Sequence, residues 1–70
     1  MIKYDRLWDT MRKKHISQYD LTHTFKINNS LLHKLRHNMN VEIYTLDKLC
    51  NILGCGLEDI VEHVPDDNVF

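Results

Sequence analysis

Glycine and proline are scarce in this chain, with two Gly and one Pro among 70 residues. A small β-barrel or β-sandwich needs many tight turns, so this scarcity argues against both architectures. No apolar run approaches the ~18 residues of a membrane span, and the N-terminus, MIKYDRLWDT, lacks a signal-peptide core. Two cysteines, Cys50 and Cys55, are too few for a secreted disulfide scaffold. We therefore expect a cytoplasmic protein with reduced thiols and no membrane partner.

The chain is also short. Seventy residues make one domain spanning 1–70 and leave little room for an enzyme cleft. No Ser/His/Asp or Cys/His arrangement typical of nucleophilic catalysis is evident, so we expect a binding module, not an enzyme, and no cofactor. His33 and His37 have the i, i+4 spacing of helical metal ligands, but Lys34 follows His33 where an HExxH motif requires glutamate. No metal site is expected, although a zinc-linked redox switch at the two cysteines stays open as an alternative.

Charge is divided unevenly along the chain. The formal net charge is −1, but residues 1–50 hold all nine Lys and Arg against five acids, a net of +4. Residues 51–70 hold five acids and no Lys or Arg, a net of −5. A basic body with an acidic end indicates one face for an anionic partner and a second face with another role.

Apolar side chains recur with helical spacing in five segments, and no segment alternates convincingly as a strand would. The first stripe is Tyr4, Leu7, Trp8 and Met11, at i, i+3, i+4 and i+7. The pattern predicts an all-α fold of five helices, at about 4–14, 17–25, 28–37, 45–53 and 57–64.

The boundaries of the second, third and fourth helices carry recognisable capping residues. Ser17 and Asp20 have the spacing of a capping box, and Asn28 is a good N-cap residue. Gly54 is suited to a left-handed position just past a helix end. The second and third helices are short and lie about three residues apart, which is the arrangement of a helix-turn-helix at about 17–37.

Residues 17–37, SQYDLTHTFKINNSLLHKLRH, resemble the helix-turn-helix of Cro-type and phage-repressor-like transcriptional regulators. The positions that match the family pattern are Ser17-Gln18, Leu21, Ile27, Leu32 and Leu35. The segments IKYDRLW, LDKLCNILGC and LEDIVEHVP also look like family members, so the resemblance covers about residues 2–65. It implies a five-helix, lambda-repressor-like domain that binds double-stranded DNA and regulates transcription.

Three residues depart from the family pattern. Thr22 stands where the family usually has Ala, at the crossing of the two motif helices. Lys26 stands where the turn usually has Gly, and a left-handed Lys there would cost about 1 kcal/mol. Asn28 replaces the usual Ser or Thr cap, which is a conservative change.

The resemblance and the outward face of the third helix together define the expected DNA contacts. With Leu32 and Leu35 inward, the outward side of the recognition helix, about Asn28–His37, carries hydrogen-bonding or cationic groups and no acid. These are Asn29, Ser30, His33, Lys34 and His37. The resemblance places Asn29, Ser30 and Lys34 at base-reading positions in the major groove, and Gln18 and Asn28 at phosphates. His37 is expected to add a backbone contact, and a half-exposed Leu31 to meet a thymine methyl group.

Partner predictions concern the C-terminal part. A domain this small makes few DNA contacts, so we expect a homodimer on a two-fold operator. Leu57–Phe70 is the candidate interface, since Val64, Val69 and Phe70 in the short acidic tail, 64–70, lack obvious core places. The alternative is a protein-interaction module of the same fold, such as an antitoxin or anti-repressor, acting through its acidic C-terminal part.

Overall fold

The computed structural model describes residues 1–67. Within that range lie four α-helices: α1 (Asp5–Lys13), α2 (Gln18–His23), α3 (Asn29–Arg36) and α4 (Ile43–Leu53). A 3₁₀ turn, Leu57–Asp59, follows α4, and two short strands, β1 (Ile2–Lys3) and β2 (Glu62–His63), pair antiparallel. The domain is mostly helical, and its four α-helices lie close to the first four of the five helices that the apolar spacing predicts.

The prediction of a fifth helix at about 57–64 is wrong. The apolar spacing of Leu57, Ile60 and Val61 fits one helical turn, and the structure has only the three-residue 3₁₀ turn there. Asp59 closes this turn on itself, because its carboxylate accepts a hydrogen bond from the Gly56 N–H at 3.0 Å. The chain then extends into β2, so no residues remain for a second helical turn.

The strand pair β1–β2 was not expected from the sequence. Ile2 pairs with His63 and Lys3 with Glu62, and the Val64 N–H donates to the Met1 carbonyl at 2.8 Å. The ammonium group of Met1 donates to Asp66 at 2.7 Å. Val64, which seemed to lack a place, is thus half-buried beside the N-terminus. Val69 and Phe70, the rest of the predicted interface, lie outside the described residues.

Within residues 1–67, eleven buried apolar residues form a core to which all four helices contribute. Leu7, Leu21, Leu35, Leu49 and Ile60 have no exposed surface at all. Burying a leucine contributes about 1.5–3 kcal/mol, so leucines from four helices and Ile60 from the segment after the 3₁₀ turn fix the helices against each other. Trp8 and Cys50 pack at the edge of this core.

Tyr4 connects the start of α1 to the segment that follows α3. Its side chain is buried, its hydroxyl donates to the Met39 carbonyl at 2.9 Å, and its N–H donates to the Asn38 side chain at 2.9 Å. Burial raises the pKa of the Tyr4 phenol. Asn38 is itself left-handed, with φ of 54°, as asparagine tolerates better than most residues. These contacts hold the C-terminal end of α3 in place.

Candidate nucleic-acid interface

The N-terminus of α2 is held by the predicted capping box. The Ser17 hydroxyl accepts from the Asp20 N–H at 3.1 Å, and the Asp20 carboxylate accepts from the Ser17 N–H at 2.9 Å. The bond donated by the Ser17 N–H, with the Ser17 side chain beside it, lowers the pKa of Asp20. The cap fixes where α2 begins and therefore where the adjacent Gln18 side chain projects.

The turn between α2 and α3 contains a strained lysine. Lys26 has φ of 61°, in the left-handed region that glycine adopts freely. The next residue, Ile27, is buried, and its N–H donates to the Leu21 carbonyl at 2.9 Å. Anchoring Ile27 in this way forces the backbone of Lys26 into its strained conformation and sets the angle between the two helices.

The other small-residue departure, Thr22, is accommodated within α2. Its hydroxyl donates to the Tyr19 carbonyl at 3.0 Å, and the Thr22 side chain is half-buried. Because the hydroxyl finds its partner in its own helix, no polar group is left unsatisfied where the helices approach.

The start of α3 is capped by Asn28. The Asn28 side-chain oxygen accepts from the Leu31 N–H at 2.8 Å, as predicted for an N-cap. The oxygen is thereby occupied, and the side-chain NH₂ remains as the group that can donate to a phosphate. Asn28 is exposed, so a ligand can reach it.

The outward face of α3 carries the five predicted polar residues, all of them exposed: Asn29, Ser30, His33, Lys34 and His37. Helical spacing aligns Ser30, Lys34 and His37 as one row along the helix. The rings of His33 and His37 are in contact, with centroids 4.4 Å apart. Leu32 and Leu35 are buried behind this face, and Leu31 is half-buried at its edge.

Gln18 is tied to a residue that sequence analysis did not single out. The Gln18 side-chain oxygen accepts from Nε of Arg36 at 2.9 Å and also from its Nη2. Arg36 thus bridges α2 and α3 while remaining exposed. Arg36 lies seven residues after Asn29, a spacing that places both residues on the same side of α3 and could have identified Arg36 as part of the exposed face. Its contact with Gln18 could not be predicted in this way, because it depends on how α2 and α3 pack.

The start of α4 also borders the α3 face, which the sequence did not indicate. A shallow groove of about 230 Å³ lies between them. It is lined by Asn28, Ser30, Leu31, Lys34, Val41, Glu42 and Thr45. Glu42 therefore brings one carboxylate to the edge of an otherwise acid-free face.

Basic side chains differ in how far they are neutralised within the described part of the chain. Three form ion pairs: Lys3 with Asp5 at 3.3 Å, Arg6 with Glu62 at 3.7 Å, and Arg12 with Asp9 at 3.0 Å. No carboxylate within residues 1–67 lies within ion-pair distance of the other six: Lys13, Lys14, Lys26, Lys34, Arg36 and Lys48. Of these six, Lys26, Lys34 and Arg36 belong to the helix-turn-helix, and Lys13 and Lys14 precede α2.

The acidic C-terminal segment packs away from α3. The 3₁₀ turn contacts α1 and α4. Arg6 donates to the Glu58 carbonyl at 3.1 Å, and the Thr10 hydroxyl donates to the Asp59 carbonyl at 2.6 Å. Glu58 and Asp59 therefore lie against α1, where Arg6 and Lys13 border them, whereas Lys26, Lys34 and Arg36 lie at the α2–α3 turn and on α3.

Residues 1–67 contain neither a cluster of metal ligands nor a helix that could span a membrane. No three His, Cys, Asp or Glu side chains come together there as metal ligands would. Nor does any helix of that range combine the length and the hydrophobicity that crossing a membrane requires.

Comparison with known proteins gives a consistent result. No curated protein sequence matches the chain. Among solved structures, the crystal structure of the transcriptional regulator VanUg (form II) is similar, with a TM-score of 0.83 and 28% identity. That match covers 93% of this chain and 87% of the other. The model of the Cro/C1-type HTH DNA-binding domain matches residues 6–66. The chain therefore belongs to the Cro/C1-type HTH DNA-binding domain family.

Proposed function

We propose that this protein is a sequence-specific regulator of transcription that inserts α3 into the major groove of double-stranded DNA. The observation that carries the proposal is the face of α3. It presents hydrogen-bonding and cationic side chains from Asn29 to His37, without an acid, on a helix whose other side is locked into the core. The similar regulator VanUg supports the same class of function.

Base reading is assigned to Asn29, Ser30 and Lys34. Asparagine pairs with adenine N6 and N7, lysine donates to guanine O6 and N7, and serine accepts several partners. His33 lies four residues after Asn29 on the same face and is exposed. Each good base contact contributes about 1–3 kcal/mol of discrimination against the wrong base.

Phosphate contacts are assigned to the N-terminal ends of α2 and α3 and to the end of α3. Gln18 and Asn28 each keep a side-chain NH₂ for a phosphate, because their oxygens are occupied by Arg36 and the Leu31 N–H. His37 adds a contact at the other end of α3. Lys13, Lys14 and Lys26, which have no ion-pair partner within residues 1–67, supply attraction that does not depend on sequence.

A homodimer on a two-fold operator would double these contacts. Leu57 is 44% exposed on the 3₁₀ turn, whereas Ile60, Val61 and Val64 of the candidate interface are buried or half-buried. Sedimentation velocity of Leu57→Lys tests this assignment: a shift toward monomer is expected, and an unchanged association constant would contradict it. Deletion of residues 68–70 tests the remaining tail while keeping the β1–β2 pair intact.

DNA reading is tested by fluorescence anisotropy of a labelled duplex from the gene's own upstream region, compared with a scrambled duplex, at two salt concentrations. Preference for the native duplex should persist at the higher salt. Lys34→Ala should lose much of that preference, whereas the control Lys3→Ala removes one cation from β1, outside the helix-turn-helix, and should keep it. Equal, salt-sensitive binding to both duplexes would contradict sequence reading. Binding to neither would favour the protein-interaction alternative.

A further inference from the structure

Cys50 and Cys55 are brought together by the C-terminal cap of α4. Gly54 is left-handed, with φ of 61° and ψ of 45°, and the Cys55 N–H donates to the Cys50 carbonyl at 3.1 Å. This is the hydrogen bond of a Schellman motif, in which the residue after the left-handed glycine contacts the last turn of the helix. That contact is usually made by two apolar side chains, and here both are thiols.

The two thiols are also suited to react with each other. The backbone hydrogen bond holds the two residues side by side, and both are half-buried at the edge of the core, so a small reagent can reach them. They are the chain's only cysteines. A backbone hydrogen bond between two residues keeps their Cα atoms within the range of a disulfide, about 4.4–6.8 Å.

We propose that Cys50 and Cys55 form a reversible disulfide within the chain, which fastens the end of α4 to the segment leading into the 3₁₀ turn. The oxidant is a small-molecule disulfide such as glutathione disulfide. One cysteine thiolate attacks it, forms a mixed disulfide and releases one glutathione thiolate. The other cysteine thiolate then attacks the protein sulfur and expels the second glutathione. Two protein thiols lose two electrons and two protons, and one disulfide is reduced to two thiols.

The surroundings of the pair favour slow exchange. Burial raises the pKa of both thiols, and the nearby carboxylate of Asp59 raises them further. Little thiolate therefore exists at neutral pH, and thiolate is the attacking species. Exchange with a disulfide pool is therefore expected to be slow.

The test equilibrates the full chain with mixtures of reduced and oxidised glutathione, followed by acid quenching, alkylation of free thiols and intact-mass measurement. The expected product lacks two hydrogen atoms, resists alkylation and reverts with dithiothreitol. Since the fold brings the thiols together, the native chain should form this product at least about tenfold more favourably than the same chain in urea. Cys50→Ser and Cys55→Ser should each accumulate only a glutathione adduct.

Three results would overturn the proposal. The first is wild-type protein that carries stable glutathione adducts or disulfide-linked dimers in place of the internal bond. The second is a pair of thiols that stay free and alkylated across every mixture. The third is an internal disulfide that forms no more favourably in the native chain than in urea, because the fold would then contribute nothing to it.

Discussion

Replacing Lys26 by glycine should stabilise the protein, because Lys26 occupies a left-handed backbone position at the turn of the helix-turn-helix. A residue with a Cβ costs about 1–2 kcal/mol there, and glycine removes that cost. Glycine also gains freedom in the unfolded chain, which offsets about 0.4–1 kcal/mol of the benefit. The net gain expected is about 0.5–1 kcal/mol, or a rise in Tm of roughly 2–8 °C for a domain of this size.

The matched control is Lys26→Ala, which removes the same charge and keeps the Cβ. Both variants retain the Ile27 N–H bond to Leu21, so the difference between them reports the backbone strain less the freedom that glycine gains in the unfolded chain. Chemical and thermal unfolding should rank glycine above alanine. If glycine is equally stable or less stable, the conformation of Lys26 is not strained and the reasoning about the turn is wrong. In DNA binding, the two variants should lose affinity equally, because each lacks one cation.

Three further predictions concern caps and anchors. Asn28→Ala should lower the free energy of unfolding by about 1 kcal/mol in denaturant titration, whereas Asn28→Ser should nearly preserve it; equal losses would exclude the capping role. Tyr4→Phe removes the hydrogen bond from the Tyr4 hydroxyl to the part-buried Met39 carbonyl, so unfolding by denaturant should show a loss of about 0.5–1.5 kcal/mol, and an unchanged midpoint would contradict it. The pKa of Asp20 is lower in the folded protein than in the unfolded chain. The ionised Asp20 therefore stabilises the fold at pH values above the unfolded pKa, and this stabilisation is lost as pH falls through the folded pKa. The stability of Asp20→Asn should therefore depend less on pH below about 4 than that of wild type, and parallel pH curves would refute this.

Local signals in the sequence predicted most of the helical fold. Ser17, Asp20, Asn28 and Gly54 act on neighbouring backbone groups, so their roles can be deduced from spacing of a few residues. The helical stripes likewise placed the buried leucines, because burial follows a period set by the helix itself.

Contacts between distant residues explain what the sequence did not predict. The β1–β2 pair joins residues about sixty positions apart, and a strand of two residues has no alternation to detect. The bridge from Arg36 to Gln18 and the groove beside Glu42 depend on how helices pack. The prediction of a fifth helix was wrong for a different, local reason. The apolar spacing there fits one turn of either an α-helix or a 3₁₀ helix, and the structure has the 3₁₀ turn.

The central claim is that the face of α3, and not the acidic C-terminal segment, meets the DNA. The most direct test follows backbone amide signals by two-dimensional NMR while a duplex from the gene's own upstream region is added. The largest changes should fall at residues 17–18 and 26–37, with little change over residues 57–67. Changes concentrated at residues 57–67, with α3 unaffected, would contradict the account.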